Sequence, residues 1–438
     1  MSTSTGYAPA PPRRHRFATL LGPAFVAAVA YVDPGNVAAN VTAGSRYGYL
    51  LLWVLVAANA MAVLIQYLSA KLGLVTGRSL SESLGARLGT RGRRAFWLQA
   101  EVAAAATDVA EVIGGAIALH LLFGLPLPLG GLITGVVSMV LLAVGDRRGE
   151  RRFELLVIGL LAIITIGFTC GLFFVDVSVT DMIAGIVPRF QGAETLLLAA
   201  GMLGATVMPH AIYLHSALAR DRHRARLFSV RAGMDAQAPR SAHSSEPQRP
   251  DERVLRRLLR ATKWDVTIAL VVAGSVNIAL LVLAAAALHG ESGTDTIAGA
   301  HRAIESALGP TVGVIFAVGL LASGLASTSV GSAAGAEIMS GLLHVRVRLL
   351  TRRLVTLVPA LAVLLAGTDP TFALIVSQVV LSFCIPFALI PLVRYTSARM
   401  IMGAHRNGVI VRTAAWSATA VIVVLNIALI VFTALGID

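Results

Sequence analysis

Apolar residues in this chain gather into long stretches separated by short polar connections, without the one-sided stripe of a soluble amphipathic helix. A helix crossing a bilayer needs about 20 largely apolar residues. The pattern predicts eleven such spans: 17–42, 49–73, 95–123, 127–145, 153–175, 194–218, 265–288, 312–341, 350–367, 371–393 and 411–435. The expected fold class is an all-α polytopic membrane protein. One connection, 219–263, is long and rich in Arg, Ser, Pro, Gln and His. Such a segment buries too little apolar surface to form a core, so most of it is expected to be a flexible loop, with Arg253 to Lys263 forming a basic helix at the membrane surface.

Composition agrees with lipid as the solvent. The 438 residues are 56% hydrophobic and 13% charged, with mean hydropathy +0.78, whereas soluble domains carry charge on about a quarter of their residues. The net charge of +13 would suggest nucleic acid in a soluble protein. Here the cations lie between apolar runs, which points to loops pinned on one side of a membrane and excludes a nucleic-acid partner. Connections on the amino-terminal side hold Arg13, Arg14, Arg16, Lys71 through Arg94, Arg147 to Arg152, the 219–263 loop, Arg346, Arg348 and Arg394 to Arg412. The opposite connections hold only Arg46, Arg189 and Arg302 as strong cations, beside Asp176, Asp181, Glu291, Asp295 and Asp369. This alternation predicts a cytoplasmic amino terminus and an external carboxyl terminus. Lysine occurs only at 71 and 263, and the Arg, Ala and Gly bias is that of a GC-rich bacterial genome, so a bacterial inner membrane is the expected location. Met1 to Arg16 is polar and lacks a cleavage site, so no cleavable signal is expected. Cys170 and Cys384 lie inside apolar runs as small core residues, and no disulfide framework is indicated.

Two spans are interrupted in corresponding places. Span 1 contains Tyr31-Val32-Asp33-Pro34-Gly35-Asn36, and span 6 contains Thr206-Val207-Met208-Pro209-His210. With spans 1–5 and 6–10 as two halves, the breaks are equivalent, and the halves start on opposite sides of the membrane. Such a 5+5 inverted repeat with broken first helices is the pattern of a transporter site near the midplane. The organisation is then a tail over 1–16, a first repeat over 17–193, a second over 194–393, and a loop with an added eleventh span over 394–438.

Proline within a helix removes a donor and displaces the carbonyl four residues earlier. Pro34 frees the carbonyl of Ala30, and Pro209 that of Ala205. An orphan carbonyl in hydrocarbon is costly unless something binds it, and a cation can. Beside these carbonyls stand a carboxylate (Asp33), an amide oxygen (Asn36) and a thioether (Met208). Magnesium and calcium prefer oxygen alone, whereas sulfur favours Mn²⁺, Fe²⁺, Co²⁺ and Cd²⁺. Taken singly, Asn36 could cap the second half-helix and Met208 could simply pack. Their occurrence together with Asp33, an intramembrane carboxylate, is the signal.

Asp33-Pro34-Gly35-Asn36 on span 1 with Met208-Pro209-His210 on span 6 resembles the motif pair of the NRAMP divalent-metal transporters, above all the bacterial proton-coupled manganese branch. The resemblance covers essentially the whole chain; the Arg-rich 219–263 loop is the departure. It implies a LeuT-type fold, with metal bound by Asp33, Asn36, Met208 and the Ala205 carbonyl. The Ala30 carbonyl and Gln378 on span 10 are implied as ligands in particular conformational states. Relatives that carry Mg²⁺ or Al³⁺ tend to lack the methionine.

Span 3 carries Glu101, Asp108 and Glu111, the last two sharing a helix face. Arg352 and Arg353 at the start of span 9 are natural partners, although they also fit as positive-inside anchors. His210 and His215 follow the second break, and histidine can relay protons near neutral pH. Their spacing is not that of a zinc-enzyme helix, and no His-Glu-x-x-His occurs, so the chain is not read as an enzyme. In the family, residues matching Asp33, His210, Asp108, Glu111 and the two arginines line a proton route. A structural ion-pair network is the alternative for Glu101 and Arg353. The small residues from Gly319 to Gly335 fit close helix packing.

The expected function is secondary active import of Mn²⁺, with Fe²⁺, Cd²⁺ and Co²⁺ accepted, coupled to protons through alternating access. No resident cofactor and no obligate protein partner are expected. The alternatives are a LeuT-type sodium-coupled transporter of an organic solute and a passive divalent-metal channel.

Overall fold

A computed structural model describes residues 22–148, 150–232, 252–294, 296–345 and 347–435. The tail over 1–16, the first residues of span 1 and the middle of the long loop lie outside the described residues. Among the described residues the secondary structure is helical, with no strand. The first span is two halves, α1 (Pro23–Ala30) and α2 (Pro34–Tyr47). α3 (Leu52–Thr76) is the second span, followed by the short α4 (Leu80–Gly85). Spans 3 to 5 are α5 (Thr90–Phe123), α6 (Leu127–Arg148) and α7 (Glu150–Thr169). After α8 (Val179–Ala184) the sixth span is again split, into α9 (Gly192–Thr206) and α10 (Pro209–Ala232). α11 (Glu252–Ala287) is the seventh span, and α12 (Ile297–Leu308) connects it to α13 (Pro310–Leu343). α14 (Leu349–Leu365) and α15 (Pro370–Ser397) complete spans 9 and 10. α16 (Arg399–Met402) leads to α17 (Val409–Leu435), the added eleventh span.

Among the described residues, eight helical segments, one of them α9 and α10 taken together, are long and apolar enough to cross a membrane. Three expected spans fall short of that measure for visible reasons. The first is divided into helices of 8 and 14 residues, the fourth is described as an apolar helix over Leu127–Leu142, and α14 has 17 residues. Leu155, Ile166, Val355, Val358 and Val424 are among the exposed apolar side chains, as expected for surface that faces lipid.

The long loop departs from expectation at its start, where α10 continues as helix to Ala232; at its end, helix from Glu252 agrees with the helix expected over Arg253 to Lys263. The basic segment Arg253–Lys263 does not lie free on the surface. Leu255, Leu258 and Leu259, spaced along one helix face, pack with Ala70 and Leu74 of α3 and Ala219 of α10. An amphipathic face finds protein before it finds lipid.

Glycines set the approach of the central helices. Gly114 of α5 lies against the Pro34 ring, so α5 packs directly on the first break. On α13, Gly319 meets the Gly167 backbone of α7, and Gly324 lies against the Glu111 carbonyl. Gly335 leaves the space that the Arg352 guanidinium fills. The small-residue stretch of span 8 therefore does more than let backbones touch: it makes room for buried charge.

Candidate functional site at the two helix breaks

The first break is built by local rules. Asp33 precedes a proline and is extended (φ −79°, ψ 168°), the conformation that the following ring enforces. Its carboxylate caps α2, with Oδ1 accepting from the Asn36 backbone N–H at 2.7 Å. The cap is therefore Asp33 and not Asn36, the residue the sequence offered for that role. Asn36 turns its side chain inward instead. Its Nδ2 donates to Asp33 Oδ1 at 2.7 Å and to the Ala205 carbonyl at 3.1 Å. Asn36 thus joins the carboxylate of the first break to the freed carbonyl of the second across 169 residues of sequence. Gln378 of α15 closes a third side, its Nε2 lying 3.3 Å from Asp33 Oδ2. Asp33, Asn36, Met208 and Gln378 are fully buried. Ala30 ends α1 and Met208 lies in the link between α9 and α10, both also buried.

Two glycines bring α15 to this point. A Cβ on Gly35 would occupy the space of the Gln378 side-chain amide, and a Cβ on Gly204 would strike the Gln378 carbonyl. The Gly of Asp-Pro-Gly-Asn is thus a steric requirement of a residue far along the chain.

Two buried oxygens at the centre, Asn36 Oδ1 and Gln378 Oε1, have no hydrogen-bond partner among the described residues. Buried acceptors left open are costly. They adjoin a carboxylate and a proline-freed carbonyl, so the local field is that of oxygen acceptors around one formal negative charge. This is chemistry suited to a cation. The amide nitrogen of Asn36 now lies between Asp33 and Ala205, the position from which it satisfies both acceptors. Rotating the amide would turn its oxygen into that space.

The other backbone groups released by the first break are met by side chains that sequence reasoning passed over. Asn277 of α11 donates to the Tyr31 carbonyl at 2.7 Å, and Ser323 of α13 donates to the Val32 carbonyl at 2.6 Å. Asn277 also accepts from Asn40 at 3.0 Å. The signal was present in kind, since an asparagine inside an apolar span needs a partner.

The acidic helix forms a second cluster. Arg353 is fully buried, with Nη1 2.8 Å from Asp108 Oδ1 and 3.7 Å from Glu111 Oε2. Ser138 of α6 and Thr328 of α13 hold the same guanidinium at 3.1 and 3.3 Å. Arg352 reaches Glu101 at 2.9 Å. Both arginines are thus partners of the acids rather than surface anchors. His210, one residue into α10, places Nδ1 3.3 Å from Thr107 Oγ1, beside Asp108. The Thr107 hydroxyl donates to the Ala103 carbonyl at 3.0 Å, which leaves Nδ1 as the donor towards it. His210 Nε2 is then the bare acceptor nitrogen, buried and without a partner among the described residues.

His215 goes elsewhere. Its Nδ1 lies 2.8 Å from Gln66 Oε1, and Gln66 Nε2 donates to the Tyr31 hydroxyl at 2.6 Å. The structure therefore connects His215 with α3 and the first break, and does not bring it to the acids of α5.

A polytopic helical protein with two broken helices and a buried polar centre at the breaks has the architecture of a membrane transporter. Its sequence matches the family described as natural resistance-associated macrophage protein-like over residues 24–432, and the chain belongs to this Nramp family. A divalent metal cation transporter of Mycobacterium tuberculosis is 56% identical over 418 residues, covering 95% of this chain and 92% of that protein. One from Bacillus subtilis is 41% identical, covering 94% and 92%. The crystal structure of an Eremococcus coleocola manganese transporter mutant superposes with a TM-score of 0.81 at 31% identity, covering 95% of this chain and 87% of that one. A nucleobase-cation symporter, Mhp1, shares the fold at a TM-score of 0.53 and 15% identity, covering 95% and 93%. The LeuT-type fold implied by the motifs is thus found.

Proposed function

We propose that this protein imports divalent transition metal ions across a bacterial plasma membrane, with Mn²⁺ as the foremost substrate and Fe²⁺, Cd²⁺ and Co²⁺ accepted. The observation that carries the reading is the convergence of Asp33, Asn36, Gln378 and the Ala205 carbonyl, with two acceptor oxygens open, in a buried centre where Met208 follows Ala205 by three residues. A cation entering this centre meets one carboxylate and several neutral oxygens, and Met208 supplies the soft donor that disfavours calcium. The Ala30 carbonyl adds a ligand when α1 moves relative to α2. One formal charge in the set suits binding loose enough for release. The names of the mycobacterial and bacillus relatives and of the Eremococcus structures support the substrate class.

Protons accompany the metal in this reading. His210 Nε2 is an open acceptor, and Asp108 and Glu111 face a single guanidinium, so the cluster has room for one proton. Asp33 exchanges a proton for the metal, and His210, Asp108, Glu111 and Arg353 carry it away from the metal's path. Arg352 and Glu101 extend that line, and His215 serves the coupling of the first break to α10. The amino terminus faces the cytoplasm and the carboxyl terminus the outside.

The test is Mn²⁺ uptake into proteoliposomes with an imposed pH gradient and a Ca²⁺ competition arm. Wild-type protein is expected to accumulate Mn²⁺ and move protons with it. Uptake by Asp33→Ala equal to wild type would falsify the site, and metal flux that neither moves protons nor responds to pH would remove the coupling.

A further inference from the structure

Away from the breaks, the link between α4 and α5 and the last turns of α15 enclose an apolar groove of about 360 Å³. Its walls are Leu88, Phe96, Phe387 and Ile390, and Arg394 and Tyr395 stand at its mouth. The outward-facing neighbours on the same helices are also apolar: Leu98 is 59% exposed and Val102 47%. The groove therefore opens where the protein meets lipid.

The mouth is cationic. Arg87 lies over the Tyr395 ring, 5.2 Å from its centroid, and the charges of both Arg87 and Arg394 act on the Tyr395 phenol. Both arginines are exposed, and neither is paired with a carboxylate among the described residues. None of the groove-lining residues is acidic. Arg87 and Arg394 also belong to the connections richest in basic residues, so the groove lies at the basic end of the protein. A long apolar slot with two uncompensated guanidinium groups and a phenol at one end matches an amphiphile with a single anionic head.

We propose that this groove binds an anionic glycerophospholipid, with one acyl chain against Phe96, Phe387 and Ile390 and the phosphate between Arg87 and Arg394. The chemistry follows from charge complementarity: a basic pocket between membrane helices gains from an anionic headgroup at the surface, and arginine forks onto phosphate oxygens. A zwitterionic lipid offers the same chain but no net charge. A second copy of this chain would have to bury the same arginines unpaired, which costs more than it gains. The bound lipid would fasten α15, which carries Gln378, to the link that precedes α5.

The experiment uses the full-length protein, purified and delipidated in detergent, titrated with phosphatidylglycerol or phosphatidylcholine and observed by native mass spectrometry. Phosphatidylglycerol is expected to remain bound at least tenfold more tightly than phosphatidylcholine. Arg394→Ala and Arg87→Ala should each weaken it about fivefold at low salt. Leu88→Trp fills the groove while keeping both arginines, and should abolish retention. Ile390→Trp fills it from the other wall and replaces the first variant if that one fails to fold. Equal retention of the two lipids overturns the proposal, as does unchanged phosphatidylglycerol binding in a folded groove-filled variant. A dimeric mass that disappears with Arg394→Ala also overturns it, by giving the groove to a second copy of the chain.

Discussion

Asn36 donates twice to the Asp33 side chain, once from its backbone N–H and once from its side-chain amide, each 2.7 Å from the same carboxylate oxygen. One oxygen of the single acid at the break therefore both caps α2 and holds the amide that touches Ala205. Among the described residues Asp33 Oδ2 is held by Gln378, at 3.3 Å, the longest of these contacts. A group arriving at the centre would find that oxygen the least committed.

Met208 can be tested without opening a cavity. Met208→Leu conserves volume, and such swaps cost under about 1.5 kcal/mol. In proteoliposome uptake, Cd²⁺ transport should fall by an order of magnitude or more, Mn²⁺ transport should fall less, and Ca²⁺ should become an effective competitor. Unchanged discrimination between Cd²⁺ and Ca²⁺ would remove the sulfur from the site.

The acid cluster separates fold from coupling. Arg353→Ala strands Asp108 and Glu111 without their guanidinium, and breaking a buried pair this way costs about 3–5 kcal/mol. A marked drop in melting temperature is expected. Asp108→Asn keeps the shape and removes the charge, so it should fold, still move Mn²⁺, and lose the dependence of that flux on the pH gradient. The two results are read by thermal unfolding in detergent and by uptake at two imposed gradients.

Gly35→Ala changes no candidate ligand. Its new Cβ would displace the Gln378 amide from Asp33. Mn²⁺ binding measured calorimetrically should weaken at least tenfold, and Gln378→Ala combined with it should restore part of the loss, because the smaller side chain vacates the contested space. Additive losses in the double variant would show that the glycine acts through the backbone instead.

Asp265 of α11 accepts from the backbone N–H groups of Gly22 and Ala24, each at 3.1 Å, and so caps α1 from a neighbouring helix. Losing a cap costs about 1 kcal/mol. Asp265→Ala should speed amide exchange at the start of α1 while leaving α2 unchanged, as followed by hydrogen–deuterium exchange. Equal protection in the two proteins would show that packing against the neighbouring helices alone holds α1.

Much of this protein was legible in its sequence because the signals are local. The long apolar helices follow from the length of apolar runs. The breaks follow from two prolines, and the carbonyl of Ala205 was identified by counting four residues back from one of them. Asp33 stood out because a carboxylate in an apolar helix needs a reason. Partnerships between distant helices were not legible in this way. Nothing near His215 announces Gln66, and nothing near Tyr31 announces Asn277. Arg353 reads equally well as a surface anchor until α5 is placed beside it.

The sequence by itself determined which stretches form the long apolar helices, where two helices break, and which acid, amide and thioether stand at the breaks. Helical period, proline chemistry and charge cost act over a few residues, so they can be read in order. Only the tertiary structure decided that Asp33 and not Asn36 caps α2, and that Asn36 reaches across to Ala205. It also decided that Gly35 exists to admit Gln378, and that the arginines of α14 are buried among the acids of α5. Each of these depends on which helix faces lie together, and that choice is made by the packing of the whole bundle rather than by any one segment.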